Sequence, residues 1–342
     1  MENQGVSILI STYNGAIRLS RTLESLSELD IHTIPFVELI IVDNASTDGT
    51  LVFSQNKWIA LGTPFPLKSI TENRPGKLHA QEAGLKIASG EYILICDDDN
   101  SFYSDYLQIG IKYLIENPKI GVLGGRGIGM STIEFPAWFE QKSYLYGCAP
   151  QAPKTGNVRP TRNVVYGAGM WFRHSAYLKS KSLDYEFILG SRIGSKLITG
   201  AEDSEVCWML IFLGYEVWYI DEMQFHHHIT ENRLTENYLK KLILGMTESG
   251  LTSSIHNRIW NGVISQKVKW FWIKELVYSI REYIKIGFSS LSTNKKLDLK
   301  RVKNNILILL KERSKYDEKV NRILDYKEKC NDFRHKIKVS RF

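Results

Sequence analysis

Short apolar runs alternate with segments of helical periodicity over the first hundred residues of this 342-residue chain. Most of the runs are apolar on both faces, which is typical of strands in a sheet that is covered on both sides. The runs are VSILI (6–10), VELIIVD (37–43), LKSITEN (67–73) and YILIC (92–96), and the helical segments between them are 17–29, 51–61 and 77–89. This alternation predicts an α/β fold with a mainly parallel sheet flanked by helices.

Polar residues follow or end three of the predicted strands. Ser11 to Asn14 follow the first strand, Asp43 and Asn44 end the second, and Asp97 to Asp99 follow the fourth. In parallel α/β sheets, ligands bind beyond the carboxyl ends of the strands. We therefore expect these side chains to converge on one edge of the sheet and to form a ligand site there.

Asp97, Asp98 and Asp99 are three adjacent carboxylates behind a strand that should be buried. The charges repel one another, and their burial is costly unless a positive charge compensates for them. The run therefore indicates a bound cation, and hard divalent cations prefer carboxylate oxygens. The alternative is a helix cap with first-turn acids, a role for which one Asp would suffice.

Beyond residue 103 the pattern is less regular. The segment 129–163 is rich in Gly, Pro and aromatic residues, and we expect it to be irregular. The other predicted elements are helices over 104–118 and 202–215, strands over 120–127 and 216–220, a short strand with a turn or helix in 166–178, and mostly helices after about residue 230.

Composition limits the class of protein. An apolar content of 43% is enough for a core, and the four widely spaced cysteines contain no Cys-X-X-Cys, which argues against a zinc cluster or a disulfide framework. The first residues do not read as a signal peptide, and no uncharged apolar stretch approaches the roughly 20 residues that span a bilayer. We expect a cytoplasmic protein, or a peripheral one on the inner face of the cell membrane.

The net charge of +7 is concentrated in the last quarter of the chain. Residues 1–257 contain 22 Lys and Arg against 28 Asp and Glu, whereas residues 258–342 contain 22 against 9. In segment 265–288, Trp272, Leu276 and Ile280 recur at helical spacing among lysines. This pattern is typical of a helix at a membrane surface, but it also suits a helix whose apolar side packs on the rest of the protein.

Several motifs together resemble the family-2 glycosyltransferases of the GT-A fold. They are VSILISTYNG, VELIIVDNASTDGT, ASGEYILICDDDN, GAGMWFR, GAEDSEVCWMLIFLGYEV and HHH, and they span roughly residues 5–230. The resemblance implies an enzyme that transfers a sugar from a nucleotide-diphosphate donor with inversion, using Mn²⁺ or Mg²⁺. It also implies a catalytic domain over 1–230, with a nucleotide-binding half (about 1–100) and an acceptor half (about 101–230), followed by a basic helical region over 231–342.

The resemblance assigns the acidic run to the metal. Asp97 and Asp99 match the Asp-X-Asp of the family, with Asp99 as the direct ligand and Asp97 or Asp98 toward the ribose or a metal-bound water. Among the three histidines at 226–228, His226 matches best the position of a metal ligand in some members. If this stretch is a strand, the outer two histidines share one face and the middle one points to the other.

The resemblance also assigns catalytic and acceptor residues. Asp203 corresponds to the general base and Glu202 to an orienting or acceptor-binding residue, although both acids also suit the start of a helix. Gly167 and Gly169 would let the backbone approach the acceptor sugar closely. Trp171 would stack on a sugar face or pack in the core.

The resemblance assigns more residues to the donor than to any other part of the site. The strand ends would line the nucleobase and ribose, and Arg74 and Lys77, beside a Pro-Gly turn, would face the base or the diphosphate unless they are ordinary turn residues. The residues assigned to the donor are Thr12, Tyr13, Asn14, Asp43, Asn44, Arg74, Lys77, Asp97 and Asp98.

The leading hypothesis is thus a metal-dependent inverting glycosyltransferase of bacterial surface polysaccharide or lipid-linked glycan synthesis. Its expected partners are a nucleotide-sugar donor, a glycan or lipid-linked acceptor, a membrane surface contacted through 265–288 and a second copy of the chain, but no nucleic acid. One alternative is a nucleotidyltransferase acting on a sugar phosphate, although its usual Gly-rich basic loop is missing. Another is a nucleic-acid binder that uses the basic tail, which leaves the acidic residues unexplained.

Overall fold

The computed structural model describes residues 4–159, 161–188, 202–287 and 293–339. Within these ranges one sheet has the strand order β3-β2-β1-β4-β8-β6-β9-β5, and β7 also pairs with β9. The strands are β1 (Val6–Thr12), β2 (Val37–Asp43), β3 (Leu67–Thr71), β4 (Tyr92–Cys96), β5 (Asn100–Phe102), β6 (Ile120–Met130), β7 (Gly156–Asn157), β8 (Trp171–Arg173) and β9 (Glu216–His228). The helices are α1 (Ala16–Ser27), α2 (Thr50–Ala60), α3 (Lys77–Ile87), α4 (Tyr106–Glu116), α5 (Phe139–Lys142), α6 (His174–Ser182), α7 (Glu202–Leu213), α8 (Glu236–Trp260), α9 (Phe271–Gly287), α10 (Thr293–Glu312) and α11 (Ser314–Val339).

The predicted α/β fold class is confirmed. β1 lies parallel to β2 and β4, and β3 lies parallel to β2, as the strand–helix alternation requires. The second half of the sheet is mixed, because β8 is antiparallel to its neighbours β4 and β6, while β6 and β9 are parallel. β9 is longer than predicted and carries all three histidines at its end.

Alternate residues of the central strands enter two cores, one on each face of the sheet. In β1, Ile8 packs with Leu19 and Leu23 of α1, whereas Leu9 packs with Ala80 of α3. This is the two-residue period of a strand, and it explains why β1 and β2 are buried along nearly their whole length. Burying each large aliphatic side chain contributes about 1.5–3 kcal/mol to stability.

The C-terminal helices extend the core that contains α7. Trp208 of α7 donates a hydrogen bond to Ser253 of α8 (3.1 Å), and Tyr326 of α11 donates one to the carbonyl of Met209 (3.0 Å). The helical region after residue 230 therefore packs directly on the helix that begins with Glu202 and Asp203. None of the helices in the described residues combines the length and the apolar character needed to cross a bilayer.

Candidate active site

The carboxyl ends of β1, β2 and β4 meet at one edge of the sheet, as the strand pattern predicted. Thr12 lies opposite Asp43 in the register of β1 and β2, and its hydroxyl donates a hydrogen bond to Asp98 (2.6 Å), just beyond β4. The edge therefore brings together polar residues that are far apart in the sequence.

Asp97 and Asp98 each contact a protein cation. The Lys77 ammonium, at the start of α3, lies 2.7 Å from Asp97. The Arg18 guanidinium, from the first turns of α1, donates two hydrogen bonds to Asp98, of 3.0 and 2.7 Å. Burial raises the pKa of Asp98, while the hydrogen bonds from Arg18 and Thr12 oppose that rise.

Asp99 lies between two further cationic groups. One oxygen accepts a hydrogen bond from Arg233 (2.8 Å), and the other lies 3.4 Å from Nε2 of His227. Burial alone would raise the pKa of Asp99, but His227 and Arg233 outweigh it and hold this pKa below its usual value. The compensation that the acidic run requires is therefore supplied at least in part by the protein itself.

The structure distinguishes the three histidines by their neighbours. β9 continues as a strand through them, so their side chains alternate, and it is His227, not His226, that faces Asp99. His226 instead contacts the hydroxyl of Tyr103 (3.2 Å). His228 is on the same side as His226, with ring nitrogens near Ser101 and Arg21.

His227 and Asp99 form a donor set that fits a divalent metal. Nδ1 of His227 lies 2.8 Å from the carbonyl oxygen of Tyr146 and donates a hydrogen bond to it, and Nε2 is directed at Asp99. A metal at Nε2 would replace the proton that His227 shares with Asp99 in the ion pair. Metal-binding histidines are commonly oriented by such a bond. Among the described residues no three His, Cys, Asp or Glu side chains are grouped to hold a metal by themselves. An ion held by Asp99 and His227 would need its remaining ligands from a bound molecule, as Mg²⁺ often takes them from phosphates.

The second acidic pair begins α7 beside the same edge. One oxygen of Asp203 accepts a hydrogen bond from the backbone N–H of Gly167 (2.8 Å), and the other accepts one from Ser204 (2.7 Å). The Lys77 ammonium lies 3.8 Å from Glu202, so one lysine connects this pair with Asp97. Lys77, Gly167, Glu202 and Asp203 line a common cleft.

The pKa of Asp203 is raised toward neutrality. Burial and the neighbouring Glu202 carboxylate raise its pKa to about 6, against smaller opposing effects of Lys77 and two backbone N–H groups. A carboxylate with a pKa near neutrality can accept a proton from a hydroxyl and release it again. A simple helix cap would favour the ionised form instead.

The two glycines predicted at the acceptor have different neighbours: Gly167 contacts Asp203, and Gly169 contacts buried aromatic residues. A methyl group on Gly167 would lie 2.9 Å from a carboxylate oxygen of Asp203, so a side chain at this position would displace that carboxylate. Gly169 has a φ of +68° and accepts a hydrogen bond from Tyr106 (2.7 Å) at its carbonyl. Trp171 was expected to stack on a sugar or pack in the core, and it is completely buried in the core.

Two of the residues predicted to bind the donor are engaged by the protein itself. Asn44 was expected to bind the base edge, but its amide donates to the carbonyls of Glu72 and Arg74 and accepts from the N–H of Gly76. It therefore holds the loop that leads to α3. Arg74 pairs with Glu72, whose pKa it lowers to about 2, and its side chain is exposed.

The other three predicted donor residues lie at the ends of β1 and β2. Tyr13 is exposed beside the edge, and Asn14 accepts a hydrogen bond from the N–H of Thr47 (2.8 Å). Asp43 is buried and accepts one from the N–H of Ser46 (3.1 Å). They remain predicted donor contacts, with Tyr13 the most accessible of the three.

Sequence reasoning did not single out Arg18, Arg233 or the orientation of His227. Arg18 and Asp98 are 80 residues apart, and Arg233 and Asp99 are 134 apart. The sequence signal for Arg18 was a basic residue in the first turn of the helix after β1. The signal for Arg233 was a basic residue shortly after the histidines. The alternation of a strand through 226–228 was the signal for His227.

Solved structures with the same fold are glycosyltransferases. The mannosyltransferase PcManGT from Pyrobaculum calidifontis, in complex with GDP-Man and Mn²⁺, is 18% identical with a TM-score of 0.53, covering 95% of this chain and 86% of that chain. S. aureus TarS 1-349 in complex with UDP-GlcNAc is 16% identical with a TM-score of 0.52, covering 97% and 92%. The fold is thus the GT-A fold of nucleotide-sugar transferases.

The chain belongs to glycosyl transferase family 2, whose model matches residues 7–179. The poly-beta-1,6-N-acetyl-D-glucosamine synthase of Staphylococcus epidermidis is 26% identical over 220 residues, which are 63% of this chain and 48% of the relative. An uncharacterized glycosyltransferase of Rickettsia conorii is 30% identical over 116 residues, 33% and 17% of the two chains. The chain spans about half the length of the synthase.

Proposed function

We propose that the protein transfers a sugar from a nucleotide-diphosphate donor to an acceptor hydroxyl with inversion at the anomeric carbon. The observation that carries the proposal is Asp203: a carboxylate with a pKa of about 6, in the same cleft as Lys77 and close to the sheet edge with Asp97. Family membership supports the reaction class, and the geometry supports the role of the base.

In this proposal the donor lies over the carboxyl ends of β1, β2 and β4. The nucleoside contacts Tyr13 and Asp43, and the diphosphate lies toward the cations that surround the three aspartates. Lys77 is the best placed of them for the donor, because it bridges Asp97 and Glu202. Asn44 holds the loop before α3 and thereby fixes where this helix begins. The N–H groups at the N-terminus of α3 also favour an anion.

The chemical step uses Asp203. Its carboxylate takes the proton of the acceptor hydroxyl while the hydroxyl oxygen forms a bond to the anomeric carbon. The bond from that carbon to the diphosphate breaks on the opposite side, and the nucleoside diphosphate leaves with the electron pair. Attack opposite the leaving group inverts the configuration, and Glu202 helps to orient the acceptor.

We propose that Asp99 and His227 hold a Mn²⁺ or Mg²⁺ ion together with the donor phosphates, and that Asp97 is a further ligand or binds a metal-bound water. When bound, the ion supplies Lewis-acid stabilisation of the negative charge on the leaving diphosphate. A site of mixed oxygen and nitrogen ligands suits Mn²⁺ at least as well as Mg²⁺. Arg233 neutralises Asp99 from its other side.

The proposed acceptor is a growing bacterial surface glycan or a lipid-linked sugar at the inner face of the cell membrane. The relatives support this choice through the poly-beta-1,6-N-acetyl-D-glucosamine synthase, and TarS and PcManGT supply UDP-GlcNAc and GDP-Man as the first donors to test. A nucleotidyltransferase would instead release pyrophosphate from a nucleoside triphosphate, and family membership weighs against it.

The test is transfer by the full chain with Mn²⁺, a panel of nucleotide sugars and simple glycan acceptors. We expect release of nucleoside diphosphate and, by NMR, a product of inverted anomeric configuration. Asp203→Asn should lower transfer by about 10²–10⁴-fold, the usual contribution of a general base. Asp105→Asn, an exposed carboxylate before α4, is the matched control. Retained configuration, or full activity of Asp203→Asn, would contradict the mechanism.

A further inference from the structure

Helix α9 carries an apolar row that faces solvent. Ile273, Val277, Ile280 and Ile284 recur every three or four residues and therefore lie on one side of the helix. Trp270, immediately before the helix, is also exposed and is counted with the row. These five side chains, which we call the apolar stripe, are between 40% and 61% exposed. Such a contiguous exposed row marks an interaction surface, whereas single exposed apolar residues do not.

A basic row runs beside the apolar stripe. Lys274, Arg281 and Lys285 are exposed and lie one position after members of the stripe along the helix. Tyr278, 65% exposed, lies next to this row on the side away from the stripe. The surface is thus apolar along one line and cationic along the next, with Trp270 at one end of the apolar line and Tyr278 beyond the cationic one.

The opposite side of α9 is fixed to the protein. Trp272 and Leu276 pack against the core that contains α7. Glu275 pairs with Arg258 of α8 (2.7 Å), and the N–H of Trp272 donates to Asp317 of α11 (2.8 Å). The two readings of segment 265–288 are therefore not exclusive, because one apolar face packs on the protein and a second faces outward.

Charge selects the kind of partner that fits this surface. Residues 258–342 contain 22 Lys and Arg against 9 Asp and Glu, so the region around the stripe is cationic. A bilayer with anionic headgroups offers an apolar interior, a negative surface and an interface that favours Trp and Tyr. A second copy of the chain suits the surface less well, because a two-fold contact would bring two basic rows together.

We propose that the apolar stripe and the basic row form a docking surface for a bilayer that contains anionic lipids. The side chains of the stripe enter the interface, and Lys274, Arg281 and Lys285 contact the headgroups. Docking itself does not depend on the proposed function. Only its role rests on that function, because docking would hold the cleft near a membrane-bound acceptor. Because α9 and α7 share a core, docking would orient Asp203 relative to the bilayer.

The test is flotation of the full chain with phosphatidylcholine vesicles, with and without phosphatidylglycerol, in the absence of any nucleotide sugar. We expect binding that requires phosphatidylglycerol and weakens with salt. Lys274→Gln with Arg281→Gln should reduce the partition coefficient about 30-fold, from about fivefold for each charge removed. Val277→Asp with Ile280→Asp should abolish binding.

Matched controls carry the same changes elsewhere on the surface. Ile59→Asp in α2 and Lys112→Gln in α4 alter exposed residues and should bind as the wild type does. Asp203→Asn should also bind fully, so failure of docking and failure of the catalytic proposal are distinguishable. Thermal unfolding verifies that each variant is folded.

Three results would overturn the proposal. They are an absence of binding to phosphatidylglycerol vesicles, variants in the stripe or basic row that bind as well as the wild type, and a dimer in solution that Val277→Asp dissociates. The last result would assign the surface to a second copy of the chain.

Discussion

Asp203 lies where two requirements conflict. Its carboxylate is largely removed from water and close to Glu202, which makes the ionised form costly, yet a general base must be ionised to act. The raised pKa of about 6 is a consequence of that conflict, and Lys77 limits it. Function at this residue is therefore expected to reduce stability.

Asp203→Asn should stabilise the protein at neutral pH. Because the folded-state pKa of about 6 lies above the ordinary aspartate pKa of the unfolded chain, the free energy of unfolding falls as pH rises through this window. Two pKa units correspond to at most about 3 kcal/mol. Denaturation in urea at pH 4 and pH 7.5 should give similar stabilities for the two proteins at the lower pH and a more stable variant at the higher one. A variant that is less stable at pH 7.5 would show that Asp203 is not strained.

Two neighbours should move the acid limb of the activity profile in opposite directions. Glu202→Gln removes a repulsion and should shift the limb to lower pH, whereas Lys77→Met removes an attraction and should shift it higher. Profiles of kcat/KM against pH test both. Lys86→Met, an exposed lysine of the same helix, should leave the profile unchanged. Unshifted limbs in both variants would mean that Asp203 is not the titrating base.

At the scale of elements, β9 determines which histidine faces Asp99. The strand was predicted to end at residue 220 but extends to His228, so strand alternation applies through the histidines. β5 pairs with β9 at this point, with Asn100 opposite His227. This pairing places Asp99, which precedes β5, next to His227. Sequence position within the family motif favoured His226 as a metal ligand. The pairing of β5 with β9 instead places His227 next to Asp99.

His227→Ala should weaken Mn²⁺ binding in the presence of a nucleoside diphosphate. Loss of one nitrogen ligand from a site with few protein ligands should cost at least the 10–100-fold typical of an outer-shell change. Calorimetry or Mn²⁺ electron paramagnetic resonance measures the affinity without turnover. His226→Ala, its neighbour on the opposite face, is the control. Equal loss in both variants, or loss only in His226→Ala, would reverse the assignment.

The sequence predicted most strands, most helices and the convergence of Asp43, Asp97 and Thr12, because those features follow from local periodicity and from the rules of parallel sheets. It did not predict the short strands β5 and β7 or the full length of β9. It did not predict that Arg18 would pair with Asp98 or that Asn44 would hold a loop. Such contacts join side chains from distant segments, and periodicity carries no information about them. Trp171 could not be assigned for the same reason, since its burial depends on α4 and β9.

At the scale of the molecule, the acidic and the basic parts of the chain lie in different places. The acidic groups meet at the sheet edge, where Lys77, Arg18 and Arg233 balance them. The excess of positive charge belongs to the C-terminal helices, and α9 presents part of it beside exposed apolar residues. A single core through α7, α8 and α11 connects the two.

The most direct test of this account is calorimetric titration of the wild type, Asp99→Asn and Asp203→Asn with nucleoside diphosphates and their sugars, with and without Mn²⁺. We expect one nucleotide sugar to bind the wild type and Asp203→Asn with similar affinity in the presence of Mn²⁺, and to bind Asp99→Asn much more weakly. Binding that is unaffected by Asp99→Asn, or no binding of any nucleotide sugar under either condition, would contradict a donor site at this edge of the sheet.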